Sequence, residues 1–264
     1  MRLKNENIKQ LEDKAKKIRE ELIDIVSITG GHLASNLGVV ELTIALHHVF
    51  DSPHDQILWD VGHQSYVHKM LTGRLEKMKT IRQLNGLSPF TNPKESKHDH
   101  FISGHAGNTI SAAYGIAQAD QKRQVIAVVG DASLSNGQSL EGINNSGNKA
   151  KNMVIILNDN EMSIGNNVGA LFKYLSRLMS KKKYTNLKSD VEKALKKVGI
   201  GESFTDLIKR LEHSVRYFLY PGSIFEELGY NYIGPIDGHN MPILVNSLNE
   251  IDKLNGPTII HVKT

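Results

Sequence analysis

The 264-residue sequence contains no cysteine. That absence excludes a disulfide scaffold, a Cys-ligated zinc or iron–sulfur site and a thiol nucleophile, so any metal chemistry must use oxygen or imidazole ligands. No apolar run approaches the roughly 20 residues needed to span a bilayer, and the opening MRLKNENIKQ lacks the apolar core of a signal peptide. A soluble, cytoplasmic protein with no membrane partner is expected. Internal repeats and low-complexity tracts are also missing, which leaves an ordinary globular domain. Neither sign of charge dominates: 32 Lys and Arg against 28 Asp and Glu give a net +4. An isoelectric point near 9.0 points only weakly to an anionic partner. A phosphate-bearing ligand satisfies it as well as nucleic acid does, and no nucleic-acid partner is expected. With 39% hydrophobic residues over this length, the chain can bury a large core as one big domain or two small ones.

From about Asn5 to Ser27, Ile8, Leu11, Ala15, Ile18, Leu22 and Ile25 recur at helical spacing among Lys and Glu, which predicts an amphipathic helix. The run TGGHLASNLG ends that helix with two glycines and offers Ser35 or Asn36 as the N-cap of a second helix, Val39 to Phe50. Four short apolar runs, Ile57 to Trp59, Val125 to Val129, Met153 to Leu157 and Thr258 to Val262, read as strands buried on both faces. Strands alternating with helices predict an α/β fold: a doubly wound, mainly parallel sheet flanked by helices, with ligands beyond the carboxyl ends of the strands. The stretch 88–100, SPFTNPKESKHDH, reads as an exposed loop, and the Lys-rich 180–216 as a helical surface insertion.

The strongest strand runs directly into Gly130 and Asp131, and the following one ends in Asn158, Asp159 and Asn160. Asp131 and Asn160 lie 29 positions apart (160 minus 131), about one strand–helix–strand crossover, which brings two oxygen ligands to neighbouring strand ends. A carboxylate, an amide and a nearby backbone carbonyl are what magnesium takes when phosphate oxygens complete its octahedron. Taken alone, an Asp after a strand could equally cap the next helix.

These residues resemble the thiamine-diphosphate signature of the transketolase superfamily, Gly-Asp-Gly followed after about 25 to 30 residues by Asn. The blocks SITGGHLASNLGVVELTIALHHVF, DQILWDVGHQSYVHKMLTGR, TIRQLNGLSPF, LNDNEMSIGNNVGAL and PGSIFEELGYNYIGPIDGHN extend the likeness over nearly the whole chain. Together they resemble the N-terminal, diphosphate-binding domain of the 1-deoxy-D-xylulose 5-phosphate synthase family. That resemblance implies a thiamine-diphosphate-binding fold, with thiamine diphosphate and Mg2+ as cofactors and pyruvate and glyceraldehyde 3-phosphate as substrates. The runner-up is an N-terminal subunit of transketolase.

By the same resemblance, Asp131, the side chain of Asn160 and the backbone oxygen of Met162 are the metal ligands. Gly130, Ala132, Ser133 and Asn160 line the cofactor, as do Gly104, His105 and Ala106. His63 contacts the diphosphate, and His32 and His105 face the reacting carbons as catalytic residues, with Ser35 nearby in support. Two departures stand out: Ala132 replaces a glycine, and Ala106, Gly107 and Asn108 replace hydroxyl residues. His47, His48, His98 and His100 carry no third ligand at metal spacing, and His239 has no role readable from sequence. The family's pyrimidine-binding and C-terminal domains have no counterpart in these 264 residues. The resemblance therefore implies a second chain carrying them, in a homo- or hetero-oligomer, or else a truncated, non-catalytic binding or regulatory module.

Overall fold

The computed structural model describes residues 3–102, 104–160 and 223–264. Met162 and the expected insertion at 180–216 lie outside them. Five parallel strands form one sheet: β1 (Gln56–Trp59), β2 (Val125–Gly130), β3 (Met153–Asp159), β4 (Asn231–Asp237) and β5 (Thr258–Lys263), in the order β1-β2-β3-β5-β4. Alternate strand residues serve two cores, because successive side chains point to opposite faces. Trp59, Ile126, Val128, Ile156 and Ile260 face one core, while Leu58, Ala127, Val129, Ile155 and Leu157 face the other.

The first core is covered by α1 (Ile8–Thr29), α3 (Val40–Val49) and a helix near the end of the chain, α9 (Met241–Asn249). The second is covered by α5 (Thr109–Ala119), α7 (Gly137–Ser146) and α8 (Ser223–Glu227). Helix α1 starts at a capping box, in which Asn7 Oδ1 accepts from the Gln10 N–H at 3.0 Å and Gln10 Oε1 accepts from the Asn7 N–H at 2.8 Å. It stops at Gly30, whose φ of 67° is easily reached only without a side chain. No described helix is long and apolar enough to cross a membrane.

Three expectations change. Strand β4 was not expected, because Gly234 and Pro235 interrupt it. It is an edge strand with an irregular register between Ile233 and Ile236, and an edge tolerates a residue that cannot donate to a ladder. Asn36 caps no helix: it lies inside the short α2 (Leu33–Leu37), fully buried, and Ser35 lies beside it within α2.

The third change concerns segment 88–100, which is irregular but not simply exposed, since Thr91 and Asp99 are buried. The Asp99 carboxylate accepts from both terminal nitrogens of Arg74 at 2.7 Å and from the Asn92 N–H at 2.7 Å, and it meets His68 Nε2 at 3.1 Å. Glu95 adds a 2.5 Å contact from Lys69 Nζ and accepts from the Ser88 N–H at 2.6 Å. The charge that marks a loop in sequence is here paired inward.

Candidate functional site

Directly after β1, the run Asp60–His63 turns across the carboxyl edge of the sheet. Asp60 is buried, and its two oxygens accept from the Gly107 N–H at 3.0 and 3.1 Å, with the Thr109 N–H at 3.4 Å. Val61 O accepts from the Gly104 N–H at 3.0 Å. The 104–109 loop is held from its other side by Asn136, which caps α7 through the Gln138 N–H and donates to Ala106 O at 3.2 Å. Ser139 Oγ spans from Ser133 O (2.7 Å) to Gly107 O (3.3 Å). A Cβ on Gly107, at φ 92°, would lie 2.7 Å from Asn136 Cγ, so glycine is required there on both counts. The loop is thus fixed through its backbone, and the missing hydroxyls of Ala106, Gly107 and Asn108 are not needed to hold it. One consequence limits ligand binding: the N–H groups of Gly104, Gly107 and Thr109 are already engaged. Gly104, His105 and Ala106 are the exposed residues of the loop.

His32 precedes α2, and His63 follows β1. Their rings meet edge-on at 5.6 Å between centroids, and Tyr66 and Phe90 each stand 6.3 Å from the His32 ring. Burial lowers the pKa of both imidazoles, and the neighbouring charges of Arg82 on His32 and of His32 on His63 add to it. Both are therefore largely neutral near pH 7. His63 Nδ1 is buried without a protein partner. Ser35 is half-buried and makes no hydrogen bond to these rings.

At the end of β2, Gly130 is the N-cap residue and Asp131 the first residue of α6 (Asp131–Leu134), so Asp131 is not the helix cap. Gly130 has an ordinary φ of −74°, and among the described residues a Cβ there would meet nothing within 4 Å. Neither its backbone nor the packing of the described residues demands this glycine. Ala132 lies in a right-handed helical turn, so the substitution for glycine carries no strain. Asp131 is 7% exposed, and its carboxyl is pushed up to about 6, first by burial and then by the Asp159 charge, against an opposing hydrogen bond from the Ala132 N–H. Asp159, at the end of β3, meets His261 Nε2 at 2.9 Å, and His261 Nδ1 meets the Tyr232 hydroxyl at 2.7 Å, all buried. Asn160 follows half-buried. Two carboxylates at adjoining strand ends, one of them hard to ionise, form a place where a cation relieves repulsion. Among the described residues no group of three His, Asp or Glu could hold a metal by itself, so phosphate oxygens or backbone would have to complete any shell.

The sequence comparisons can now be set beside this geometry. The sequence model of the 1-deoxy-D-xylulose-5-phosphate synthase family matches residues 1–264. The chain belongs to this family. Relatives carrying the same name include one from Natranaerobius thermophilus, 51% identical over 99% of this chain and 42% of its own length. Another from Brevibacillus brevis is 50% identical over 97% of this chain and 41% of its own length. The chain thus spans less than half the length of the relatives it matches. Transketolase from Campylobacter jejuni superposes with a TM-score of 0.70 at 22% identity, over 98% of this chain and 38% of that one. That from Leishmania mexicana gives 0.68 at 17%, over 96% and 36%. At these identities the likeness shows the fold alone.

The structure brings His32 and His63 together and sets Asp131 and Asn160 at adjoining strand ends, at the same edge of the sheet. Asp60, Tyr66, Phe90 and Arg82 also shape this edge and were not singled out from sequence, and Asn36 was read only as a helix cap. Asp60 alone carried a signal there, as the residue that ends a strand in WDVGH. Several other histidines are structural. His47 Nε2 meets His68 Nδ1 at 2.9 Å, His48 Nδ1 meets Leu3 O at 2.9 Å and His98 Nδ1 meets Ser52 Oγ at 2.9 Å. His239 sits on the Arg19–Glu41 ion pair, 3.2 Å from Glu41 Oε2, and fastens the segment after β4 to α1 and α3.

Proposed function

We propose that this chain supplies the diphosphate- and metal-binding half of a thiamine-diphosphate-dependent transferase. The reaction we assign condenses pyruvate with glyceraldehyde 3-phosphate, with loss of CO2, to give 1-deoxy-D-xylulose 5-phosphate, a precursor for isoprenoid, thiamine and pyridoxal synthesis. The observation that carries this reading is the buried Asp131 carboxyl pushed up to about 6 beside Gly130, which no described residue crowds. An anionic, metal-bearing diphosphate fits that pairing: the metal compensates Asp131 and Asp159, and the unobstructed backbone lets phosphate oxygens approach.

In this reading Asp131, Asn160 and the Met162 backbone oxygen hold Mg2+, while Gly130, Ala132 and Ser133 line the diphosphate. His63 steadies the diphosphate, its buried Nδ1 being available to a ligand. Of the 104–109 loop, the N–H groups of Gly104, Gly107 and Thr109 are engaged by Val61 and Asp60, so the exposed Gly104, His105 and Ala106 meet the cofactor by their outward surface rather than through those engaged amides. When bound, thiamine diphosphate supplies the nucleophilic carbon. His32 and His105 orient the substrate and hold or move protons at the reacting carbons. A neutral His32, kept so by burial, can accept a proton at physiological pH.

The ring pocket for the aminopyrimidine, and the glutamate that activates it, would come from a partner chain or a further segment, in a cytoplasmic homo- or hetero-oligomer. A transketolase subunit and a non-catalytic binding module are the competing readings, and the 51% identity to a synthase favours the first reading over a transketolase. The test is calorimetric titration with thiamine diphosphate at fixed Mg2+, followed by a pyruvate decarboxylation assay with and without the candidate second subunit. Binding that depends on Mg2+ and Asp131, with turnover only in the complex, is expected. Absence of binding in the complex would overturn the reading, and turnover by these 264 residues alone would overturn the need for a partner.

A further inference from the structure

We propose that Asn36 is the positioning residue that makes His32 and His63 one rigid unit. Its side chain is fully buried, and its three hydrogen bonds all go to backbone, one on its own segment and two on the stretch after β1. Nδ2 donates to His32 O at 2.7 Å and to His63 O at 2.8 Å, and Oδ1 accepts from the Tyr66 N–H at 2.9 Å. Two carbonyls and one N–H can be satisfied together only by an amide in this orientation, so neither Asp nor Ser substitutes fully. The other contacts between the loop after α1 and the stretch after β1 are ring contacts and a close approach to Tyr66. Gly30 and Gly31 have positive φ, and a Cβ on Gly31 would stand 2.8 Å from the Tyr66 hydroxyl, so the backbone approaches closely only because glycine is there. The same Tyr66 hydroxyl lies 3.4 Å from His32 Nδ1, which completes a path from the amide through the start of α4 (Tyr66–Lys69) back to the ring. A single amide therefore fixes the backbone of both histidines and of the phenol that touches one of them. In a low-dielectric setting such a satisfied network rigidifies its members, and a 5.6 Å ring separation depends on it.

That the pair acts on a cofactor rests on the function proposed above. The positioning itself does not, and the experiment reads it without any ligand. The side-chain titrations of His32, His63 and the remote His98, which pairs with Ser52, are followed by NMR in the full chain and in Asn36→Ala. Loss of the amide frees both loops, so the titration midpoints of His32 and His63 should rise together toward the ordinary histidine value while His98 stays low. Thiamine diphosphate affinity, measured separately, should fall about tenfold or more, because two carbonyls and one N–H lose their fixed partner. Asn36→Asp keeps the acceptor but sets an anionic oxygen against both carbonyls, so it should fail at least as badly. If Asn36→Ala melts earlier yet leaves both histidines titrating as before, Asn36 is structural only and the inference falls. Should that variant not fold, Asn36→Ser, whose hydroxyl still donates to one carbonyl, is read in the same way. Failure of both to fold would make Asn36 a requirement of the fold and overturn the assignment. A parent chain that binds no cofactor would sink the proposed function and leave the titration result standing.

Discussion

Replacing Asp131 by asparagine should stabilise the ligand-free chain and, if the proposed function holds, remove magnesium-dependent binding of thiamine diphosphate. The carboxyl is raised from 3.8 to about 6, and at ~1.4 kcal/mol per tenfold change in proton affinity the ionised form is disfavoured by roughly 3 kcal/mol. Residual contact with solvent and relaxation around Asp159 reduce this to about 1.5 kcal/mol. Asparagine keeps the shape and an acceptor for the Ala132 N–H without the charge. The sign follows from proton counting. Between pH 3.8 and about 6 the folded chain binds more protons at Asp131 than the unfolded chain does, so stability falls as pH rises through this window. Below the window, parent and variant should converge. Above it, the variant should be the more stable by the full amount. Urea denaturation at a series of pH values from 3.5 to 8 measures the gap. With cofactor and Mg2+ present at about 100 times the dissociation constant, the parent should gain roughly 2.7 kcal/mol and the variant almost nothing. A variant that is no more stable at pH 8, or a gap independent of pH, would refute the claim that Asp131 is a strained carboxylate awaiting a cation.

The other expectations are simpler. His63→Ala should mainly weaken cofactor affinity, whereas His32→Ala and His105→Ala should lower turnover by roughly 10²-fold, read by steady-state kinetics of the assembled enzyme at saturating and limiting cofactor; identical profiles would mean the roles are wrongly divided. Asp99→Asn should cost about 3–5 kcal/mol by denaturant titration, since it removes the two-pronged carboxylate partner of the buried Arg74 and leaves only Glu95 at 3.5 Å. Although burial alone pushes Asp99 up, hydrogen bonds from His68 and Arg74 hold its carboxyl far below the usual range. Its contribution is therefore present above pH 3.8 and lost as pH falls further, and a loss confined to higher pH would contradict it. Asp60→Ala should cost about 1–3 kcal/mol and speed hydrogen exchange at the Gly107 and Thr109 amides but not within β2; unchanged exchange would show that something else holds the loop.

Strands β1, β2, β3 and β5 and helices α1 and α3 were legible in the sequence within a few residues. A parallel strand buried on both faces must be apolar throughout, and a helix covering it must be apolar on one stripe, so each writes its pattern locally. That Asp131 and Asn160 stand at adjoining strand ends was legible for a related reason, because each lies just past an apolar run. Strand β4 was not, since Gly234 and Pro235 hide a strand that only an edge position permits.

What the tertiary structure alone decided is which polar groups meet. Segment 88–100 carries the composition of a solvated loop, and only the approach of Arg74 and Lys69 turns its Asp99 and Glu95 into inward anchors. Asp60 reads as the end of a strand, and its task of holding the Gly107 and Thr109 amides depends on residues 47 and 49 positions away. Asn36 reads as a helix cap until the loop bearing His63 arrives to use its second donor bond. The raised carboxyl of Asp131 likewise needs the charge of Asp159 on the neighbouring strand. Hydrophobic burial follows the period of a local element and is written within about a dozen residues. Hydrogen bonds and charges are satisfied by whatever the fold brings near, so their partners are fixed only once the sheet has closed.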